Sequence, residues 1–73
     1  MNGNAFSIKT NDEAYDLAVY LAETDAEWVY NVAPFDPQRH KGAGSTISLD
    51  ARASKEFFVV EVYDEDGEFL GPL

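Results

Sequence analysis

A chain of 73 residues with fourteen acidic and five basic side chains has a net charge of −9 and contains no cysteine. This length provides one small domain, and the absence of cysteine excludes disulfide bonds and thiolate metal sites. Such an acidic chain is attracted to basic surfaces and repelled by nucleic acid and anionic membranes, while its 45% apolar content predicts a folded domain, not a disordered tail.

The first third of the chain predicts a strand followed by a helix. Residues 5–9 alternate apolar and polar side chains, as in a short half-buried strand. Thr10 and Glu13 have the spacing of a capping box, so we expect a helix from Asn11 to about Glu23. The apolar positions of this helix fall in one arc that suits packing on a sheet. The opposite side gathers acidic residues with a tyrosine beside them, namely Asp12, Asp16, Tyr20 and Glu23.

The remainder predicts four strands joined by loops and turns. Alternation places the strands at residues 27–33, 45–50, 56–63 and 68–70, with a long loop at 34–44 and a turn at 51–55. In the second of these strands, Ile47 and Leu49 are expected to point inward. The turn Asp64–Gly67 ends in a glycine that supplies a positive φ. The predicted order β-α-β-β-β-β indicates an α+β domain, in which one helix packs on one face of a small, mostly antiparallel sheet and leaves the other face open.

The pattern of reactive side chains argues against an enzyme, a cofactor site or a metal site. His40 is the only histidine and lies in the predicted loop, and no serine has a nucleophile-elbow pattern, so His40 is expected to be exposed and not catalytic. Residues 41–46 have their lysine before the glycines, the reverse of a phosphate loop. The acidic turn lacks carboxylates at the first and last positions of an EF-hand loop, which fall on Val62 and Leu73.

A basic segment interrupts the acidic sequence between residues 39 and 55. Because it lacks interleaved aromatic residues, we interpret it as pairing with acids of this chain or of a partner, not as binding nucleic acid directly. Its charges are Arg39, Lys41, Arg52 and Lys55, with His40 among them. No apolar run approaches the roughly 18–20 residues that cross a bilayer. Met1–Asn4 has no signal-peptide pattern, and a cytoplasmic domain is therefore expected.

The acidic residues give two interpretations. Surface carboxylates keep small proteins soluble, whatever their function. Acids grouped beside aromatic residues also suit binding to a Lys- and Arg-rich protein, because aromatic anchors inside a charged rim are typical of interfaces. The second interpretation predicts a partner-binding surface made of Asp12, Asp16, Tyr20, Glu23, Asp64, Glu65, Asp66 and Glu68.

In size, charge and α+β pattern over its whole length, the chain resembles the small acidic inhibitors that phages encode, such as anti-CRISPR and anti-restriction proteins. The resemblance implies a stoichiometric inhibitor that occludes a basic nucleic-acid-binding site on a host nuclease complex, and it assigns no individual residue. The alternative hypothesis is a structural or assembly protein. Such a protein would form a homodimer or join a larger complex through an open sheet face or an edge strand such as residues 68–70.

Overall fold

The computed structural model describes residues 5–42 and 44–73, and this part of the chain has the predicted α+β class. Residues 1–4, where no signal peptide was expected, and Ala43 of the glycine-containing loop lie outside the described residues. None of the described helices has the length and apolarity that crossing a membrane requires. In chain order the elements are β1 (Ser7–Ile8), α1 (Asn11–Thr24), β2 (Val29–Pro34), β3 (Thr46–Ile47), α2 (Leu49–Ser54), β4 (Phe58–Tyr63) and β5 (Phe69–Pro72).

The strands form two sheets. β2, β4 and β5 make an antiparallel sheet in the order β2-β4-β5, and β1 pairs with β3 in parallel. An antiparallel bridge between Lys9 and Phe58 connects the end of β1 to the start of β4. β4 is central because its β-branched and aromatic residues can be buried on both faces.

Helix α1 packs on one face of the three-stranded sheet, as predicted. Its capping box is formed: Thr10 Oγ1 accepts from the Glu13 N–H at 3.1 Å, and Glu13 Oε1 accepts from the Thr10 N–H at 2.8 Å. Ala14 and Ala18 are buried against Val60. Their small side chains let the helix axis approach the sheet closely, and the surrounding contacts come from Leu17, Tyr30, Val32 and Phe58.

The opposite face of the sheet is covered, which corrects the prediction of an open face. Val59, on that face, is fully buried and packs against Phe6 and Ile8 of the β1 region. Phe35 and Ile47 complete this second core. The prediction failed because it considered the helix as the only possible cover of the sheet. In the structure β1, β3 and the segment after β2 (residues 35–40) fold across this face.

A second helix replaces part of a predicted strand and the predicted turn. β3 ends at Ile47, and Ser48 then caps α2, because its Oγ accepts from the Ala51 N–H at 3.0 Å. Ala51 is buried, and Lys55 ends the helix in the left-handed region with φ of 59°. Leu49, predicted to point inward, is 83% exposed. Local capping by Ser48 therefore overrode the alternating pattern that predicted a longer strand.

Candidate functional site

The acidic residues predicted to bind a partner lie in two separate places. The start of α1 is close to the start of β4, because the Asn11 N–H donates to Glu56 Oε1 at 3.1 Å. The acidic turn follows the other end of β4, whose six residues span roughly 17–20 Å. Asp12 and Asp16 are therefore well separated from the 64–68 turn.

Six exposed residues of α1 form one continuous surface, which we call the acidic-aromatic stripe. They recur at the i, i+3 and i+4 spacing that places side chains on one side of a helix. The stripe consists of Asp12, Tyr15, Asp16, Val19, Tyr20 and Glu23, all exposed. Tyr15 and Tyr20 are each 61% exposed, which leaves both rings available for contact. The sequence predicted four members of the stripe and left out Tyr15 and Val19.

An open acidic groove lies between α1 and α2 and adjoins the stripe. Its volume is about 580 Å³, and no basic residue lines it. The lining carboxylates are Asp12, Glu13, Asp16, Asp50 and Glu56, with Thr10, Ala53 and Ser54 between them. The sequence predicted Asp12 and Asp16 but missed the other three carboxylates. Recognising Ser48 as a helix cap would have placed Asp50 in the first turn of α2.

Glu13 is fixed in place on the groove wall. Its Oε1 accepts from the Thr10 N–H at 2.8 Å and from Ser48 Oγ at 2.7 Å. These hydrogen bonds, first from the Thr10 backbone and then from Ser48, hold the pKa of Glu13 below its ordinary value. Glu13 is therefore a fixed negative charge that links the N-termini of α1 and α2.

The acidic turn between β4 and β5 is a compact, self-bonded structure. Asp64 Oδ1 accepts from the backbone N–H groups of Asp66 at 2.9 Å and Glu68 at 2.8 Å, and Gly67 has φ of 84°. Asp64 therefore shapes the turn, while Glu65, Asp66 and Glu68 are exposed. In the described ranges, no group of three or more residues is placed to hold a metal ion.

His40 is buried, which corrects the prediction of an exposed loop residue. Only 2% of its surface is exposed, and its Nε2 lies 2.7 Å from Oε2 of Glu61, which is itself 3% exposed. The Asp36 N–H donates to His40 Nδ1 at 2.9 Å. Because Nδ1 accepts, Nε2 carries the proton and donates to Glu61. The prediction failed because a histidine between two basic residues has the sequence context of a surface loop.

Glu61 is the centre of a buried polar network. Arg39 Nε donates to Oε2 at 2.7 Å, while Asn31 Nδ2 and Tyr63 OH donate to Oε1 at 3.1 and 2.9 Å. Burial alone would raise the pKa of Glu61, but the hydrogen bonds, led by those from Arg39 and His40, outweigh it and lower the pKa to about 2. The carboxylate is therefore ionised, and both of its oxygens accept hydrogen bonds from neighbouring side chains.

Aromatic rings enclose the network. The imidazole of His40 stacks on Phe35 with centroids 6.0 Å apart, and its edge meets Phe69 at 6.2 Å. The guanidinium of Arg39 lies 4.4 Å from the centre of the Phe69 ring. This arrangement fastens the segment after β2 to β4 and β5, and it excludes water from the Glu61 carboxylate.

Most of the acidic charge has no basic partner. Across residues 5–42 and 44–73, Glu61 is the only side-chain carboxylate with a basic group within 4.0 Å, and its partners are Arg39 and His40. The interpretation that the basic segment pairs with the chain's own acids thus holds for Arg39. Lys9 bonds instead to the carbonyl oxygens of Ser7 and Leu73, and burial lowers its pKa although the charge of Glu13 opposes this effect.

Comparisons with protein-family models, curated proteins and solved structures find no match to the chain.

Proposed function

We propose that this chain is a non-enzymatic inhibitor of another protein, and that its acidic surface docks on a basic, nucleic-acid-binding region of that partner. The carrying observation is the set of carboxylates other than Glu61, which have no basic partner in the described ranges. Unpaired surface charge of one sign destabilises a compact fold through self-repulsion. A binding function explains why the chain tolerates it.

The acidic-aromatic stripe supports a two-step docking mechanism. Asp12, Asp16 and Glu23 would attract the basic surface at long range and raise the association rate. Tyr15 and Tyr20 would then pack against the partner and set the lifetime of the complex. The groove carboxylates adjoin the stripe and extend the negative surface from α1 towards α2.

Competition with nucleic acid would follow from the sign of the charge along α1. Asp12 and Asp16 are one helical turn apart, with a rise of about 6 Å between them. Duplex DNA carries a charge about every 1.7 Å along its axis, and a protein that binds it presents a dense row of Lys and Arg. A stripe of carboxylates carries the charge that such a row attracts, and the partner would then be a nuclease or another protein that binds nucleic acid.

The buried network supports a binding function more than a catalytic one. Each oxygen of Glu61 accepts two hydrogen bonds from neighbouring side chains, and His40 uses both ring nitrogens within the fold. A general base needs a lone pair directed at a substrate proton. The network instead fixes the shape of the surface formed by the segment after β2.

Charge reversal on the stripe tests the proposal. The tagged protein is used to capture partners from the source lysate at about 0.05 and about 0.5 M salt, and bound proteins are identified by mass spectrometry. The Debye length exceeds about 10 Å at the lower concentration and falls well below it at the higher one. We expect a nucleic-acid-binding protein that is lost at high salt and displaced by added duplex DNA. The double variant Asp16→Lys with Glu23→Lys should abolish its capture.

The matched control places the same charge change outside the stripe. Asp25→Lys with Glu27→Lys alters the net charge equally and leaves the six stripe positions intact. Retention by this control, together with loss by the stripe variant, supports specific docking. Equal retention by both double variants overturns the proposal, and equal loss reduces it to an effect of net charge.

A further inference from the structure

Two exposed tyrosines border a row of carboxylates on the outer face of α1. A rotation of about 100° per residue places Asp12, Asp16 and Glu23 within about 40° of one another around the helix axis. Tyr15 lies on one side of this row and Tyr20 on the other, and each ring is 61% exposed. The acidic-aromatic stripe therefore offers rings and carboxylates together. The acidic groove does not, because no aromatic residue lines it.

Helical spacing places each ring next to a carboxylate. Tyr15 follows Asp12 by three residues. Tyr20 follows Asp16 by four residues and precedes Glu23 by three. Side chains at these spacings are neighbours on the helix surface, with Cβ atoms about 5–6 Å apart. A cation that lies on either ring is therefore within reach of a carboxylate.

The fold already holds one arginine with the same kinds of group. The guanidinium of Arg39 lies 4.4 Å from the centre of the Phe69 ring, and its Nε donates to Glu61 Oε2 at 2.7 Å. Its Nη2 donates to the hydroxyl of Tyr63 at 2.7 Å. One planar group thus contacts a ring, a carboxylate and a phenol at once, although 46% of the Arg39 side chain is exposed.

Arginine uses such a combination better than lysine does. The guanidinium is planar, stacks on aromatic rings, presents five N–H donors and is weakly hydrated. The ammonium of lysine is a compact, strongly hydrated charge, so it gives up more hydration when it approaches a ring. Carboxylates attract either cation, and it is the neighbouring rings that favour arginine.

We propose that the acidic-aromatic stripe binds arginine side chains of its partner in preference to lysine. One guanidinium would lie on Tyr15 beside Asp12, and a second on Tyr20 beside Asp16 and Glu23. None of these carboxylates has a basic group within 4.0 Å in the described ranges, so no internal ion pair has to break before an arginine binds. This inference rests on the proposed function, because it names the side chain by which the stripe holds the basic partner.

Two synthetic peptides test the preference without the partner. They are capped, glycine-spaced and equal in length, and they differ only in carrying arginine or lysine. The purified protein is titrated and followed by NMR at about 0.1 M salt, where the Debye length is about 10 Å. We expect the arginine peptide to bind at least about threefold more tightly and to shift the ring signals of Tyr15 and Tyr20. Equal affinities, or no binding of either peptide up to about 10 mM, overturn the proposal.

Substitutions of exposed rings locate the preference. Tyr15→Leu with Tyr20→Leu removes both rings of the stripe and should reduce the affinity for the arginine peptide to about that for the lysine peptide. Tyr15→Phe with Tyr20→Phe keeps the rings and should keep the preference. Trp28→Leu is the matched control, because Trp28 is 42% exposed and lies outside the stripe. A preference that survives the double leucine variant, or is lost equally in Trp28→Leu, overturns the proposal.

The capture experiment separates the failure of this inference from the failure of the proposed function. Capture that is abolished by Asp16→Lys with Glu23→Lys, but unchanged by Tyr15→Leu with Tyr20→Leu, leaves the proposed function standing and overturns arginine recognition. Should the wild type capture no nucleic-acid-binding protein while it still prefers the arginine peptide, the proposed function fails and the preference of the stripe stands.

Discussion

The carboxylate of Glu61 lies 2.7 Å from the imidazole Nε2 of His40, and both side chains are almost wholly buried. This contact joins the segment after β2 to the central strand. A buried hydrogen bond to a charged group is worth more than one at the surface, because water does not compete for either partner. Removing either side chain would take a hydrogen bond from the other, and water cannot reach the buried site to replace that bond.

The stability of the fold should depend on the ionisation of Glu61. Its pKa in the folded state is about 2, below the ordinary value of 4.5, so the ionised carboxylate stabilises the fold above about pH 4.5 and this contribution is lost as the pH falls towards 2. The contribution at neutral pH is on the order of 3 kcal/mol. Urea unfolding of the wild type and Glu61→Gln at several pH values measures it. Their stability difference should shrink between pH 4.5 and 2, and a constant difference contradicts the prediction.

Replacing His40 should destabilise the fold more than replacing its exposed neighbour. His40→Ala leaves a cavity between Phe35 and Phe69 and removes the acceptor for the Asp36 N–H, at a cost of roughly 3 kcal/mol. Lys41→Ala alters an exposed side chain and should change the free energy of unfolding by less than about 0.5 kcal/mol. Equal urea midpoints for the two variants would show that the network does not stabilise the fold.

Ser48 should couple the two helix N-termini. Ser48→Ala removes the cap of α2 and the hydrogen bond to Glu13, and Thr10→Ala removes the cap of α1; each should cost about 1 kcal/mol. Because Glu13 contacts both residues, the double variant should depart from additivity by roughly 0.5 kcal/mol or more. Thermal unfolding of the four proteins completes the cycle, and strict additivity would show that the two caps are independent.

Lys55→Gly should stabilise the protein. Lys55 has φ of 59°, and a residue with a side chain pays about 1 kcal/mol for this left-handed conformation, whereas glycine adopts it freely. The gain is expected as a higher midpoint in thermal unfolding. Lys55→Ala is the matched control, because it removes the same charge without relieving the backbone. A rise of the same size in the alanine variant would attribute the effect to charge.

The sequence was sufficient to predict the elements with a strong local signal. The capping box at Thr10 and Glu13 correctly marked the start of α1, and the unbroken apolar alternation after residue 56 correctly marked β4. The α+β class followed from these elements. Helix α2 was missed because six residues are too short to show a helical period, and the only signal was Ser48 as a cap.

The candidate site was predictable only where it lies on one element. Asp16 and Tyr20 share a face of α1, so helical spacing alone brings them together. The contact of His40 with Glu61 joins residues 21 positions apart, and no local pattern encodes it. Glu61 occupies an ordinary alternating position of β4, and its burial depends on the segment after β2 folding back over the sheet. Tertiary packing determines whether such a position is buried, and the local sequence pattern does not predict it.

Among residues 5–42 and 44–73, the one side-chain carboxylate that is paired with basic groups is buried, so the ion pairs of the fold are separate from the exposed acidic surface. Substitution of any stripe acid alters no ion pair within the described residues. Under the proposed function, substitutions on the exterior of α1 would therefore change the partner that is recognised without breaking an ion pair of the fold.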